Sequence, residues 1–183
     1  MTERDARDIA LLVGRAQSGH AASLDALLRG VQEPLFRHIA SLTADNAIAE
    51  DVLQSALWTI ARKIDQVRDP HLFRAWAYRV ATRLALRAVR QERQWRQALR
   101  DDAMAELPSE SENDRSAADG DEVRHLLTIV SGASGVVLRM YYLDQLSYLE
   151  IAEALDLPLG TVKSRIAYAL SKLRAHARTH SAR

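Results

Sequence analysis

Cysteine is absent from the 183-residue sequence. Its absence excludes disulfides and metal sites built from thiolates, and it agrees with a reducing compartment. No apolar run approaches the length of a membrane span, and the first stretch, MTERDARDIALLVGRAQ, is charged where a secretory signal is apolar. We therefore expect a cytoplasmic protein with no membrane insertion.

Turn-forming and aromatic residues are also scarce. The chain has seven Gly, four Pro and 5% aromatic residues, whereas alanine, leucine and arginine dominate. These abundant residues are good helix formers, and a hydrophobic content of 48% is ample for packed cores. The composition predicts an all-α fold.

Charge is distributed unevenly along the chain, although the net charge is only +1. Seven arginines and one acidic residue lie between Arg74 and Arg96, and six basic residues and no acidic one follow from Thr161 onward. Between these blocks, residues 100–122 contain nine acidic residues and two basic ones. Two basic segments are thus separated by an acidic one, a pattern that points to an anionic partner.

The acidic segment, DDAMAELPSESENDRSAADGDE, divides the chain. It is rich in Ser, Asp and Glu and contains Pro108 and Gly120, so it can bury little apolar surface. It is also longer than most loops within one domain. We predict two helical domains, residues 1–100 and 121–183, joined by a flexible acidic linker over residues 101–120.

In the first domain, apolar residues recur with the period of a helix. Predicted helices cover Ile9 to Ala16, Leu24 to Val31 with an extension toward Ile39, and Ile48 to Ile60 with Asp45 or Asn46 as the N-cap. The segment DQVRDP ends the third helix. The fourth and longest predicted helix carries a stripe of four arginines, Arg79, Arg83, Arg87 and Arg90.

The second domain contains the pattern of a helix-turn-helix. Two short helices are predicted in DEVRHLLTIV and SGVVLRMYYL, and Ser147 and Glu150 then form a capping box that starts a third. This helix ends near Asp156, and Pro158 suits the start of a final helix from about Leu159 to Ala177.

The start of this final helix is the candidate DNA-reading surface. In a helix-turn-helix, the N-terminal part of the second helix enters the major groove, and its free N–H groups favour phosphate. Thr161, Lys163, Ser164 and Arg165 lie there, while Val162 and Ile166 are expected in the core. From spacing alone, two packed helices with a solvated charged face remain an alternative.

The motifs resemble a known family. LSYLEIAEALDLPLGTVKSRIAYALSKLRA is similar to region four of bacterial RNA polymerase sigma factors, specifically the extracytoplasmic-function (ECF) group. AIAEDVLQSALWTIARKIDQV, followed by DPHLFRAWAYRVATRLALRAVR, is similar to region two. The resemblance covers nearly the whole chain in the order that the family has, with the acidic linker between the two regions.

The resemblance implies a role in promoter recognition, melting and transcription initiation, with three sets of site residues. Region four would read the minus-thirty-five element with Thr161, Lys163, Ser164, Arg165, Tyr168 and Lys172. Region two would bind the minus-ten element, with the loop 65–72 capturing a flipped base, through Asp69, His71, Trp76, Arg79, Arg83 and Arg87. The third helix would bind polymerase through Glu50, Asp51, Gln54 and Trp58.

The same resemblance implies the partners. They are core RNA polymerase (the clamp of the β′ subunit and the flap of the β subunit), promoter DNA and an anti-sigma factor. No cofactor and no metal are implied. The sequence departs from the usual family pattern at Arg83, where asparagine is frequent, and at Tyr168, where arginine is frequent. It also departs at Gly19-His20, where Gly-Asp is common, and in SGASGVVLRM, where a Leu-Pro start is usual and the glycines predict a looser helix start. The acidic linker could also cover the basic faces at low salt.

Other interpretations stay open at this point. A stand-alone helix-turn-helix regulator would explain the second domain but not the first, and a helical adaptor would leave all basic faces merely solvated. We do not expect an enzyme, since no carboxylate pair, P-loop or nucleophile elbow stands out. His176 and His180 have a metal-ligand spacing but no nearby acid. Trp76 could stack on a base or belong to the core.

Overall fold

A computed structural model describes residues 3–43, 45–102, 130 and 132–180. Every regular element in these ranges is a helix, so the all-α prediction is confirmed. The helices are α1 (Glu3–Gln17), α2 (Ala21–Thr43), α3 (Asn46–Arg62), α4 (Phe73–Asp102), α5 (Gly132–Tyr142), α6 (Tyr148–Leu155) and α7 (Leu159–His180). Two 3-10 turns, Ile64–Gln66 and Pro70–Leu72, connect α3 to α4.

Helices α1 to α4 form a first unit around one apolar core. Val13, Leu35, Ile39 and Ile60 are fully buried there, at positions that the helical period predicts. Helix α2 runs without interruption through Pro34. Asp45 is the N-cap of α3, where its carboxylate accepts from the amides of Ala47 at 2.8 Å and Ile48 at 3.2 Å. The cap and the core therefore fix where the third helix starts and which face it buries.

The longest helix, α4, buries a stripe of small side chains. Ala77, Ala81 and Ala85 are fully buried, whereas the larger Trp76 and Val80 are half-buried beside them. Alanine lets the backbone of α4 approach its neighbours closely, and α4 packs against both α2 and α3. The helix continues to Asp102, two residues beyond the predicted end of the first domain.

Helices α5 to α7 form a second unit that contains the predicted helix-turn-helix. The capping box is present, since Ser147 Oγ accepts from the Glu150 amide at 3.2 Å and Glu150 Oε2 accepts from the Ser147 amide at 2.8 Å. Asp156 ends α6 in the left-handed conformation at φ 56°. Pro158 immediately precedes α7, and its carbonyl accepts from the amides of Thr161 and Val162. Each local signal in the sequence thus has its expected place.

Two glycines shape the start of α5 for different reasons. Gly132 adopts φ +72°, a conformation that L side chains rarely take. Gly135 is buried, and a Cβ added there would lie 2.0 Å from the carbonyl oxygen of Val130. Gly132 and Gly135 are therefore required by the backbone geometry, and they do not indicate a loose helix start.

Several predictions lie outside the described residues. The helix in DEVRHLLTIV falls there except for Val130, and so does the acidic linker from residue 103 onward. Within the described ranges, no helix is long and apolar enough to cross a membrane.

The two units pack directly against each other. Helix α6 lies along α4, and one cluster of buried apolar residues includes Phe73 and Tyr78 from the first unit and Leu146 and Ile151 from the second. The sequence predicted two domains and gave no indication of this contact.

Candidate nucleic-acid interface

The first two-thirds of α7, as far as Lys172, present a polar face to solvent. Lys163, Ser164, Tyr168 and Lys172 are exposed, and Thr161 and Arg165 are half-buried at its edge. The residues between them, Val162, Ile166 and Ala169, are buried against the rest of the second unit. The structure therefore brings all six residues predicted for the minus-thirty-five element onto one helix, with their side chains outside the core.

Charge and aromatic surface combine on this face. Helix α7 contains no acidic residue along its whole length. Lys172 Nζ lies 5.6 Å from the centre of the Tyr168 ring, a cation–π distance, and Tyr168 is 54% exposed. A cationic helix with an exposed phenol and hydroxyls can contact phosphates and donate to or accept from base edges.

The loop between α3 and α4 holds Asp69 and His71 at the surface. Both side chains are exposed, and Asp69 Oδ1 accepts from the His71 amide at 2.9 Å, which closes the second 3-10 turn. Gln17 at the end of α1 fixes the other side of the loop, because its Nε2 donates to the carbonyls of Ile64 at 3.0 Å and Val67 at 2.9 Å. Sequence reasoning missed Gln17, since nothing in the sequence links it to a loop about fifty residues away.

The predicted minus-ten residues on α4 differ in their surroundings. Arg83 and Arg87 are exposed, whereas Trp76 is half-buried, packs against the core and has its ring centre 6.4 Å from that of Phe73. Arg79 is engaged by the second unit: its guanidinium donates to the Glu153 carboxylate at 2.9 Å and, through Nε, to the Glu153 carbonyl at 2.9 Å. One arginine of the stripe, Arg79, is thus already bonded to another part of the same chain.

The residues predicted to bind polymerase share the outward face of α3. Glu50, Asp51, Gln54 and Trp58 are all exposed, while Val52, Leu53 and Ala56 point into the core. Trp58 is 66% exposed, which is unusual for so large an apolar side chain and typical of a residue that binds a partner.

A buried polar network joins the two units. His38 on α2 is bonded to Asp144 Oδ2 through Nδ1 at 2.7 Å and to Thr82 Oγ1 through Nε2 at 2.9 Å. Thr82 donates its own hydroxyl proton to the Tyr78 carbonyl at 2.7 Å, so its oxygen accepts from His38. His38 thus has a hydrogen-bond partner on each ring nitrogen, one from each unit.

Further groups surround Asp144. Arg74 donates to the carbonyls of Asp144 and Gln145 and lies 3.5 Å from the Glu150 carboxylate. Burial raises the pKa of Tyr78 well above its usual value, and the Asp144 charge raises it further. Burial lowers the pKa of Arg139, and the Asp144 carboxylate opposes that shift. The sequence did not predict this polar contact between the two units, because the residues that form it are scattered along the chain and belong to no common motif.

Among the residues that the structure describes, no three His, Cys, Asp or Glu side chains are grouped so that they could hold a metal ion.

Comparison with known proteins identifies the family. Residues 27–96 match the model of Sigma-70 region 2, and residues 136–175 match that of Sigma-70, region 4. The ECF RNA polymerase sigma factor SigL of Mycobacterium tuberculosis (strain ATCC 25618 / H37Rv) is 32% identical over 166 residues, which are 86% of this chain and 92% of that protein. The RNA polymerase sigma-E factor of Streptomyces avermitilis is 28% identical over 163 residues, covering 85% and 86%.

Solved structures share the fold. CnrH in complex with the cytosolic domain of CnrY superimposes with a TM-score of 0.71 at 22% identity, covering 94% of this chain and 98% of that one. The sigma factor RpoE, in complex with the anti-sigma factor NepR from Bartonella quintana, gives a TM-score of 0.64 at 20% identity, covering 84% and 96%. With both regions present in family order and a relative matched along nearly its full length, the chain belongs to the ECF group of bacterial RNA polymerase sigma factors.

Proposed function

We propose that this sigma factor reads the upstream promoter element with the first two-thirds of α7, as far as Lys172. The polar face of α7 supports this assignment. It exposes Lys163, Ser164, Tyr168 and Lys172, and the helix contains no acidic residue. The capping box and the left-handed Asp156 fix the angle at which α7 leaves the turn. In helix-turn-helix proteins, the N-terminal residues of the second helix contact base edges in the major groove.

The minus-ten element is assigned to the first unit. Arg83 and Arg87 would hold phosphates of the unwinding strand, with Arg79 next to them once it is released from Glu153. The loop 65–72, with Asp69 and His71 exposed, would capture a base that has left the stack. Trp76 is half-buried beside Phe73, and the accessible part of its ring face would stack on a base.

Core polymerase is assigned to the outward face of α3. Glu50, Asp51, Gln54 and Trp58 would bind the clamp of the β′ subunit, with Trp58 as the apolar anchor. The second unit would bind the flap of the β subunit. An anti-sigma factor as a further partner is supported by the fold shared with RpoE, which was solved in complex with one. The protein would act in the cytoplasm through binding and not through catalysis.

Transcription in vitro tests these assignments together. Purified core polymerase and this protein are incubated with fragmented genomic DNA, and the start sites of the transcripts are sequenced. Discrete start sites that depend on this protein support the function, and their absence contradicts it. A pull-down of core polymerase separates the steps: Trp58→Ala should weaken the pull-down, whereas Lys163→Ala should weaken initiation and leave the pull-down intact.

The salt dependence of duplex binding tests how α7 binds phosphates. Removing one side chain that neutralises a phosphate should lower the slope of log affinity against log salt by about 0.9. We expect this decrease for Lys163→Ala and for Arg165→Ala, because both side chains border the polar face. The matched control is Arg29→Ala, an exposed arginine on α2 that pairs with Asp25 at 2.9 Å. A slope equal to that of the control would remove Lys163 or Arg165 from the interface.

A further inference from the structure

An open groove lies between the start of α3 and the end of α4. Its volume is about 610 Å³, and the apolar side chains of Ile48, Val52 and Ala88 line it. Val52 is buried, whereas Ile48 and Ala88 are half-buried and stay partly accessible from the groove. Asp51, on α3, and Trp95, on α4, lie at its rim and are exposed. The functions assigned above use Asp51 and leave the rest of the groove without a role.

Trp95 leaves most of its side chain in water. It is 65% exposed, almost the same as the 66% of Trp58, whereas Trp76 is half-buried. Tryptophan is enriched among the few residues that carry most of the binding energy at protein interfaces, because its large ring loses much water-exposed area when a partner covers it. The exposure of Trp95 beside an apolar groove therefore indicates that a partner binds there.

Asp51 joins the groove to the outward face of α3. Residues three, four and seven positions apart lie on one side of a helix. Ile48, Asp51 and Trp58 follow this spacing, so one side of α3 extends from the groove to Trp58. Asp51 and Trp58 are two turns apart, about 10 Å along the helix. A partner that covers this side of α3 from Trp58 to Asp51 therefore reaches the rim of the groove.

The charge of the groove selects among the partners of the chain. Among the described residues that line it, the charged ones are Asp51 and Glu92, and both are acidic. Acidic side chains repel phosphates, which argues against promoter DNA, and they also repel the acidic linker over residues 101–120. They attract a protein segment that carries basic residues around an apolar side chain. Core polymerase is the protein already assigned to the adjoining face of α3.

We propose that the groove between α3 and α4 is a second binding site for core RNA polymerase. A basic amphipathic segment of polymerase inserts an apolar side chain between Ile48 and Trp95, in the way that helices bind in apolar grooves. The inference rests on the proposed function of α3. It adds an anchor on α4, so that Trp58 and Trp95 hold the same partner from two helices and the end of α4 becomes part of the polymerase interface.

Coverage of the groove is measured first, with the full-length protein and core polymerase in the absence of DNA. Because the chain lacks cysteine, Gln94→Cys, at an exposed position that lines the groove, introduces its single thiol. Alkylation by a polyethylene-glycol maleimide then shifts this protein alone on a gel. We expect core polymerase to slow alkylation about tenfold or more. The matched control is Gln32→Cys, an exposed glutamine on α2, and an equal effect at both positions, or none at Gln94→Cys, would overturn the site.

Affinity for core polymerase is measured second, by titration of labelled full-length variants. Trp95→Ala should weaken binding about tenfold or more, as expected for a residue that anchors an interface. Trp95→Phe keeps an aromatic ring and should retain most of the affinity. Thermal unfolding of both variants should match that of the parent, because the side chain of Trp95 is mostly outside the core. Equal affinity of Trp95→Ala and the parent would overturn the inference.

Trp58→Ala separates this inference from the proposed function. If Trp58→Ala and Trp95→Ala each weaken binding of core polymerase, both assignments are supported. If only Trp58→Ala does so, α3 keeps its function and the groove is rejected as a polymerase site. If neither does, both assignments are overturned. Protection of Gln94→Cys that requires promoter DNA in addition to polymerase would make DNA the occupant and would also overturn the inference.

Discussion

His38 and Asp144 are 106 residues apart in the sequence, yet their Nδ1 and Oδ2 atoms lie 2.7 Å apart in the buried contact between the two units. His38 comes from α2 in the first unit, and Asp144 follows α5 in the second. The Tyr78 ring packs edge-on against His38, with the ring centres 5.0 Å apart. A hydrogen-bonded pair buried in this position makes the contact between the units sensitive to a single side chain.

We expect Asp144→Ala to separate the units without unfolding either one. Removing one partner of a buried hydrogen bond leaves the other group unsatisfied, which typically costs about 1–3 kcal/mol. In Asp144→Ala the units can separate, which lets His38 reach water. The stability that is lost therefore cannot exceed the free energy of the contact between the two units. Hydrogen exchange should therefore become faster in α6 and stay unchanged in α3.

The control for this prediction is Asp25→Ala, which removes an exposed carboxylate that pairs only across one turn of α2 with Arg29. Exposed pairs of this kind contribute about 0.3–0.5 kcal/mol. If hydrogen exchange in α6 is as slow in Asp144→Ala as in Asp25→Ala, the buried pair does not hold the two units together.

The individual helices could be predicted because their signals are local. The capping box at Ser147, the cap at Asp45 and the helical period of the apolar residues each act within one or two turns. The depth of burial on α4 was harder to predict. Beside the large buried Phe73 and Tyr78, the fully buried Ala77, Ala81 and Ala85 are small and carry little hydrophobic signal, whereas Trp76 is only half-buried.

The candidate site was predicted as a set of surface residues, and the structure places most of them at the surface. What could not be predicted is the bond between Arg79 and Glu153, because it depends on how one unit packs on the other. The sequence hypothesis assigned the covering of basic faces to the acidic linker. Residues 103–120 of that linker lie outside the described residues, so this hypothesis stays a prediction; within the described residues, Glu153 of α6 contacts Arg79.

Gln17 is expected to position the loop after α3. Replacing it with leucine keeps its size but leaves the carbonyls of Ile64 and Val67 without their donor, at a cost of about 1–3 kcal/mol if they stay out of water. The loop should relax, and promoter melting, measured by permanganate reactivity of the minus-ten thymines, should decrease. Binding of an upstream duplex should not change, and a parallel loss of both would indicate that Gln17→Leu disturbs the whole fold.

Gly135→Ala should destabilise the second unit. The added methyl group would lie 2.0 Å from the Val130 carbonyl oxygen, so the backbone must shift. Overpacking of this kind costs about 1–3 kcal/mol, which should appear as a lower midpoint in thermal unfolding. Gly30→Ala on α2 is the control, because a Cβ there meets nothing within 4 Å. An unchanged midpoint for Gly135→Ala would mean that residues around Val130 adjust freely.

Gly160→Ala should separate stability from DNA binding. A Cβ at Gly160 has nothing within 4 Å inside the chain, so the fold does not require glycine there, and alanine should stabilise the start of α7 by up to about 1 kcal/mol. If the proposed upstream interface is correct, the methyl group lies where the helix start approaches a phosphate, and it should weaken binding of the upstream duplex. Thermal unfolding and duplex titration of the same preparation decide between the two effects. A variant that is more stable and binds DNA as well as the parent would place Gly160 outside the interface.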